Sequence, residues 1–304
     1  HAIECVEKFT KNSKPYFLHI NYTAPHYPLH AKPQDIKKYV GKFRMGWDTM
    51  REQRYKRLID MGLIDANWKL SGRDSRAYDW ETANHKHEDL RMAVYAAMID
   101  SMDQNIGRLM KAIRANKGGD NTLVLFLSDN GGCSEEPGGR SPKFVPGPKE
   151  FYAAVGPSWG WAQNSPFRRY KSWAHEGGIA TPCIAWWPGR VPRGGITGEV
   201  GHIIDFMPTF LELGDGSYPK EFKGNKILPV EGKSLVSVLR GQTRKGHKQL
   251  AWEWSGNRAL REGKWKVVWD KADKRWELFD LVADRTETTD LAAKYPDLAK
   301  RLAA

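Results

Sequence analysis

Three short stretches hold residue types that could do chemistry together. In Ser128-Asp129-Asn130-Gly131-Gly132 a carboxylate stands beside an amide oxygen, and two glycines then let backbone come close to a bound group. Adjacent hard oxygen donors suit a cation such as calcium or magnesium; the same residues also read as a plain Asp-Asn turn cap. Thr23-Ala24-Pro25-His26-Tyr27-Pro28 stiffens a loop with two prolines around one imidazole, from which His26 can donate to an anion or act as an acid, or simply sit on the surface. His30 follows four residues later, but Pro28 between them forbids the helical geometry that a zinc-binding pair at that spacing would need. The third stretch, Phe167-Arg168-Arg169-Tyr170-Lys171-Ser172-Trp173-Ala174-His175-Glu176-Gly177-Gly178, is basic and aromatic and would hold an anionic substrate, with a solvated charge cluster as the alternative. Jointly, a carboxylate-amide pair, a fixed imidazole and a cationic loop fit the handling of a charged tetrahedral ester, and sulfate and phosphate both qualify.

The elements that must position these residues are legible from periodicity. Tyr16 to Ile20 reads as a buried strand leading to His26, and the unbroken apolar run Leu123 to Leu127 as a strand buried on both faces that delivers Asp129. A further run, Ile179 to Trp187, follows the basic loop and is closed by Pro188-Gly189. Ligands of open α/β sheets collect beyond the carboxyl ends of such strands. Residues Lys32 to Glu88 read as a polar, helical excursion with apolar-periodic pieces around Leu58 to Leu63. From Glu88 to Lys117, Leu90, Val94, Met98, Met102, Ile106, Leu109 and Ile113 recur every three or four residues, an amphipathic helix that Gly118-Gly119 ends. A long helix feeding a short apolar strand is the unit of a parallel α/β sheet. Glu135 to Ser165 is too rich in Gly, Pro and Ser for regular structure and long enough for a functional loop. His202 to Leu213 has helical spacing with Pro208 near its start, and Gln249 to Trp254, Asn257 to Arg261, Trp265 to Trp269 and Trp276 to Asp280 read as an antiparallel meander with a closing helix from Asp290. The tryptophans of this last third read as packing, and His85-x-His87 as a surface pair at a helix start.

Composition bounds the function. With 40 % hydrophobic and 12 % aromatic residues the 304-residue chain can bury a real core, which excludes disorder; its length suggests one large domain or two unequal ones, and the change of pattern beyond Arg240 places a domain over 1–240 and a smaller one over 241–304. The net charge of +12 comes from 48 Lys and Arg spread among 36 Asp and Glu, and that mixing argues against nucleic acid as a partner. The apolar runs are too short to span a bilayer. Three cysteines, with no C-x-x-C pair, announce neither a disulfide framework nor a zinc ribbon. The start His1-Ala2-Ile3 carries neither an initiator Met nor a targeting signal and reads as a cut.

In chain order, Thr23 to Pro28, Ala93-Val94-Tyr95-Ala96-Ala97-Met98-Ile99-Asp100, Leu127 to Gly132 and Lys171-x-x-x-x-Glu176-Gly177-Gly178-Ile179 resemble the type I, formylglycine-dependent sulfatases of the alkaline-phosphatase-like superfamily. The resemblance runs from about Pro15 to the C-terminus, where Trp276-Glu277-Leu278-Phe279-Asp280-Leu281 is similar to the family's small C-terminal subdomain. It implies an α/β fold, a mostly parallel sheet flanked by helices, with a small antiparallel α+β subdomain over 241–304. It also implies that Asp129 and Asn130 are calcium ligands and that His26 and Lys171 contact the sulfate and assist charge stabilisation or leaving-group departure. His175 is set aside, because the residue type at that position varies within the family.

The implied activity is hydrolysis of sulfate esters of a glycan or aryl compound. Its implied partners are that sulfated small molecule or glycan and a formylglycine-generating maturation enzyme, and its implied location is periplasmic or extracellular. The family makes its nucleophile from Cys in Cys-x-Pro-x-Arg, and neither Cys5, Cys133 nor Cys183 stands in that pattern. The serine version fails as well, since Ser13-Lys14-Pro15 and Ser217-Tyr218-Pro219 lack the Arg. The chain is therefore expected to be the C-terminal half to two-thirds of a sulfatase, inactive and poorly folding by itself, with the nucleophile and the paired metal-binding aspartates upstream. A phosphoester or phosphonate hydrolase of the same fold, and a non-catalytic anion-binding protein, are the rival readings. The loops Gly41 to Trp80 and Glu135 to Ser165 are expected to shape the pocket.

Overall fold

Among the described residues four α-helices precede the first strand: α1 (Ala2–Phe9), α2 (Pro33–Ile36), α3 (Gly46–Asp60) and the long α4 (His85–Ala115). The computed structural model describes residues 1–11 and 15–304; Ser13-Lys14 lies outside the described residues. The chain divides into two compact units that interleave in sequence: His1–Gly119, Ser128–Pro182 and Ala251–Ala304 form the first, Asp120–Leu127 and Cys183–Leu250 the second. In order, the later elements are β1 (Val124–Leu127), α5 (Gly156–Gln163), α6 (Glu176–Ile179), β2 (Cys183–Trp186), α7 (Phe206–Leu213), β3 (Glu221–Phe222), β4 (Asn225–Lys226), α8 (Val236–Leu239), β5 (Gln249–Trp254), β6 (Asn257–Glu262), β7 (Trp265–Asp270), β8 (Arg275–Asp280) and α9 (Pro296–Ala303).

The expected helix over Glu88 to Lys117 is α4. Asn84 caps it by accepting the His87 amide at 3.1 Å, and it buries Met92, Val94, Met98, Leu109 and Ile113. Its neighbour in the core corrects an expectation. Within the Glu135 to Ser165 segment, taken for a structureless loop, residues 156–163 form α5, and Gly156 through Ala162 are all buried. A helix buried all round shows no amphipathic period, and its glycines and proline imitate a loop in sequence. Trp159 stands edge-on to Trp47, ring centroids 5.6 Å apart, and the indole nitrogen of Trp159 donates to Glu88 at 3.1 Å.

The C-terminal meander has the four strands read from alternation, in the order β5-β6-β7-β8. β7 is central and pairs antiparallel with both neighbours, Val267 opposite Leu260 and Leu278, Val268 opposite Ala259 and Glu277. Side chains alternate across the sheet. Val267 and Leu278 therefore meet Ala299 and Leu302 of α9, while Val268 and Phe279 meet Ala174 of the basic loop. The closing helix starts at Pro296, six residues later than read from Asp290; Pro at its first turn fits there because no intrahelical amide is needed.

The second unit holds β1 and β2, paired antiparallel with Val124 opposite Trp186 and Leu127 opposite Cys183. Three expectations change, two of them in this unit and the third, at Tyr16 to Ile20, in the first unit. The direction of β1 and β2 is not parallel, because the chain returns to β1 from residue 182 running the opposite way; among the described residues the parallel pairing is the isolated bridge His30 to Gly147. The two-sided burial read from the run Leu123 to Leu127 fails at Phe126, 40 % exposed, and in the partner strand Ile184 is 63 % exposed. Tyr16 to Ile20 forms no strand, and Phe17 is 67 % exposed.

The fully buried Asp205 carboxylate organises the rest of this unit. It accepts from the Lys233 amide at 2.8 Å, Arg244 Nη2 at 2.7 Å and His247 Nε2 at 2.6 Å, and caps the turn before α7 through the His202 amide at 3.0 Å. Pro208 lies in the first turn of α7, as its position in the pattern required.

Candidate active site

The two loops expected to grip an anion meet, although 145 positions separate their key residues: Lys171 Nζ lies 3.1 Å from His26 Nε2. His26 Nδ1 is 2.8 Å from the carbonyl of Tyr27. A carbonyl only accepts and an ammonium only donates, so Nδ1 carries the ring proton and Nε2 accepts from Lys171. The geometry thus selects one tautomer. Lys171 also lies 3.4 Å from Glu135 Oε1, and the Tyr27 hydroxyl donates to Glu135 Oε2, closing a ring of four side chains. The Tyr27 hydrogen bond, with the charge of Lys171 behind it, holds the Glu135 carboxyl below the usual carboxylate range; the same hydrogen bond pushes the Tyr27 phenol up. Beside them burial raises the Cys133 thiol, and His26, Cys133 and Glu135 each bring one ligand-type atom within 4.8 Å of the others. Cys5, Cys133 and Cys183 are free thiols.

Backbone contacts join the Asp129-Asn130 turn to the Lys171 loop. The Lys171 amide donates to the Gly132 carbonyl at 3.1 Å, and the Gly131 amide to the Gly178 carbonyl at 3.0 Å. A Cβ on Gly131 would lie 1.8 Å from the Gly177 carbonyl oxygen, so only glycine permits this approach. The Asp129 side chain is exposed, with neither hydrogen bond nor ion pair among the described residues. Asn130 Nδ2 donates to the Gly131 carbonyl at 2.9 Å, which leaves its Oδ1 as the remaining polar atom. One free carboxylate and one amide oxygen fit a hard cation and would supply part of the about six to eight oxygens calcium takes.

The basic loop is not a solvated cluster. Arg169 is 8 % exposed and bonds Asp270 at 2.6 Å and Asp74 at 3.3 Å. His175, set aside from the sequence, is fully buried with Nε2 2.9 Å from Glu277, and Glu176 pairs with the fully buried Lys266 at 2.7 Å. Burial alone would raise the Glu277 carboxyl; the His175 hydrogen bond and the charges of Arg168 and Arg275 outweigh it and hold it at about 2. These pairs fasten the loop on both sides of Lys171 to β7 and β8. Sequence reading missed the acidic partners Asp270 and Glu277, because a strand carboxylate on a polar-looking edge carries no sign of burial. The sequence signal was Arg169, His175 and Glu176 flanking two glycines. His87, read as surface, is 8 % exposed, and burial with the charges of Arg91 and Arg140 lowers its imidazole to about 4. His85 does stay at the surface side, stacked on Trp80 at 4.5 Å.

The sulfatase family model matches residues 3–217. The chain belongs to the sulfatase family. A second model, for the C-terminal part of N-sulphoglucosamine sulphohydrolase, matches residues 167–303, which includes the Lys171 loop and the meander. An uncharacterised sulfatase of Schizosaccharomyces pombe is 31 % identical over 97 % of this chain and 57 % of its own length. An arylsulfatase of Klebsiella aerogenes is 30 % identical over 80 % of this chain and 55 % of its own. The chain thus spans little more than half the length of these relatives. Among solved structures, that of Ps i-CgsB superposes with a TM-score of 0.65 at 21 % identity, covering 99 % of this chain and 51 % of that one. The fold is the α/β fold of alkaline-phosphatase-like sulfatases, with the small antiparallel C-terminal sheet. Among the described residues no helix is long and apolar enough to cross a membrane.

Proposed function

We propose that this chain forms the anion-binding and cation-binding part of a sulfuric ester hydrolase. The observation that carries the reading is the 3.1 Å contact between Lys171 Nζ and His26 Nε2, two groups brought together from distant loops, with the Lys171 loop joined by backbone hydrogen bonds to the turn that carries Asp129 and Asn130. Lys171 binds the sulfate oxygens as a point charge. His26, with its proton fixed on Nδ1, has its Nε2 free to take up or return a proton at the ester oxygen once Lys171 turns to substrate. Asp129 and Asn130 hold a divalent cation, calcium by the hardness of their oxygens, and that ion supplies charge neutralisation and orientation of the sulfate when bound. The backbone clasp of Gly131 on the Lys171 loop keeps the Asp129-Asn130 turn and Lys171 in one register.

The nucleophile of this reading is a formylglycine, installed by a maturation enzyme in a Cys-x-Pro-x-Arg segment that is not among these 304 residues. A sulfated glycan or an aryl sulfate is the substrate class, and an exported location, periplasmic or extracellular, fits a calcium-dependent enzyme. The test is sulfate release from an aryl sulfate and from a sulfated oligosaccharide by the protein carrying that segment, matured in cells that make formylglycine. Activity that vanishes in Lys171→Ala and falls at least about hundredfold in His26→Ala supports the reading. Full activity in Lys171→Ala overturns it.

A further inference from the structure

Glu135 is not one of the residues that grip the ester in the reading above, yet it touches both sides of the site. Its Oε1 lies 3.4 Å from Lys171 Nζ, its Oε2 accepts from Tyr27, and Tyr27 supplies the carbonyl that fixes the His26 tautomer. The side chain is 40 % exposed, so it is neither sealed in the core nor needed to neutralise a buried cation. Lys171 has no other carboxylate within ion-pair distance among the described residues. An anionic carboxylate held against the lysine that meets the ester in this reading sets how much negative charge the site accepts.

We propose that Glu135 is the specificity-determining residue that makes this site prefer a singly charged sulfate ester to a doubly charged phosphate ester. The inference rests on the proposed function, since it takes Lys171 and His26 as the groups that meet the ester. The physics is a charge count. A sulfate monoester carries one negative charge, whereas a phosphate monoester at pH 8 carries close to two, its second ionisation lying near about 6. Glu135 cancels part of the Lys171 charge, and its repulsion of an incoming ligand scales with the ligand's charge, so the dianion suffers roughly twice the penalty of the monoanion. The Tyr27 hydroxyl keeps the carboxylate in place and ionised while Lys171 swings to the ester. In the free protein the same carboxylate occupies Lys171 in place of substrate, so both anions must displace it.

The test measures equilibrium binding of 4-nitrophenyl sulfate and 4-nitrophenyl phosphate at pH 8 with calcium present, in the protein and in Glu135→Gln and Glu135→Asp. Glu135→Gln keeps the Tyr27 contact and the volume but removes the charge. The expected result is a phosphate-to-sulfate affinity ratio that rises about tenfold in Glu135→Gln, mostly through tighter phosphate, and returns towards the parent value in Glu135→Asp. A purely structural role for Glu135 would weaken both ligands alike and leave the ratio unchanged, which overturns the proposal while both ligands still bind. If the parent protein binds neither ester, the functional reading fails first and the proposal falls with it. Far-ultraviolet circular dichroism of each variant identifies any that has unfolded, and should that be Glu135→Gln, Glu135→Ala, which also removes the charge, carries the comparison with the same expected rise in the ratio.

Discussion

His175 and Glu277 lie 102 positions apart in the chain and meet at 2.9 Å with both side chains out of contact with water. This pair, with Arg169 on Asp270 and Glu176 on Lys266, is how the meander at the end of the chain fastens the loop that carries Lys171. Each of the pairs is buried, so the attraction within it mostly offsets the loss of water around its charges. Such pairs add little net stability. They specify one geometry, because any other arrangement leaves a buried charge alone.

Glu277→Gln leaves His175, Arg168 and Arg275 without their shared carboxylate. It should lower unfolding stability by about 3 to 5 kcal/mol, the usual cost of breaking a buried pair from one side. Urea unfolding followed by tryptophan fluorescence measures this. A loss below about 1 kcal/mol would show that the pair does not hold the loop.

Stability should decline on acidification in two stages. His87 titrates at about 4 when folded and 6.5 when free, so between these values the unfolded chain binds a proton that the folded one refuses, and stability falls as pH drops from 6.5 towards 4. Glu277 is held at about 2 against an ordinary 4.5, so its contribution is complete above 4.5 and is lost as pH falls towards 2. Replacing His87 by Gln should flatten the difference in stability between pH 7 and pH 4.5. An unaltered pH profile in that variant would remove His87 from the account.

Gly131→Ala forces a methyl group to within 1.8 Å of the Gly177 carbonyl oxygen, a backbone atom that cannot swing aside. The expected cost is about 1 to 3 kcal/mol, and the proposed calcium site should weaken with it because Asn130 moves with its neighbour. Differential scanning calorimetry with and without calcium reads both effects. Gly72→Ala, where nothing lies within 4 Å and the backbone is outside the left-handed region, is the control for adding a methyl group without a clash.

How much of this was legible in the sequence follows the range of the interaction involved. Periodicity is local, so α4 and the four strands of the meander were readable from Leu90 to Ile113 and from Gln249 to Asp280. The motif residues His26, Asp129, Asn130 and Lys171 stood out by type, and the structure brings their loops together. What was hidden depends on partners far along the chain. α5 escaped because total burial erases its period, His175 and Glu277 because neither strand pattern nor charge reveals a carboxylate sealed 102 positions away, and the β1 direction because apolar content does not state which way a neighbour runs.

Trp159 tests that hidden core. It is fully buried between Trp47 and Trp80, and its truncation in Trp159→Ala also strips Glu88 of a donor. A loss of about 3 to 5 kcal/mol is expected. Chemical denaturation checks it, and a change under about 1 kcal/mol would mean that α5 is not a core element.

Calorimetric titration of an aryl sulfate into the protein with calcium present, repeated with Lys171→Ala and His26→Ala, measures directly whether the His26–Lys171 pair holds the ester. Saturable binding at one site is expected in the parent, with its loss in Lys171→Ala and a weakening of about tenfold or more in His26→Ala. Binding of undiminished affinity in both variants would contradict this, because the ester would then be held by groups other than the pair that meets at 3.1 Å.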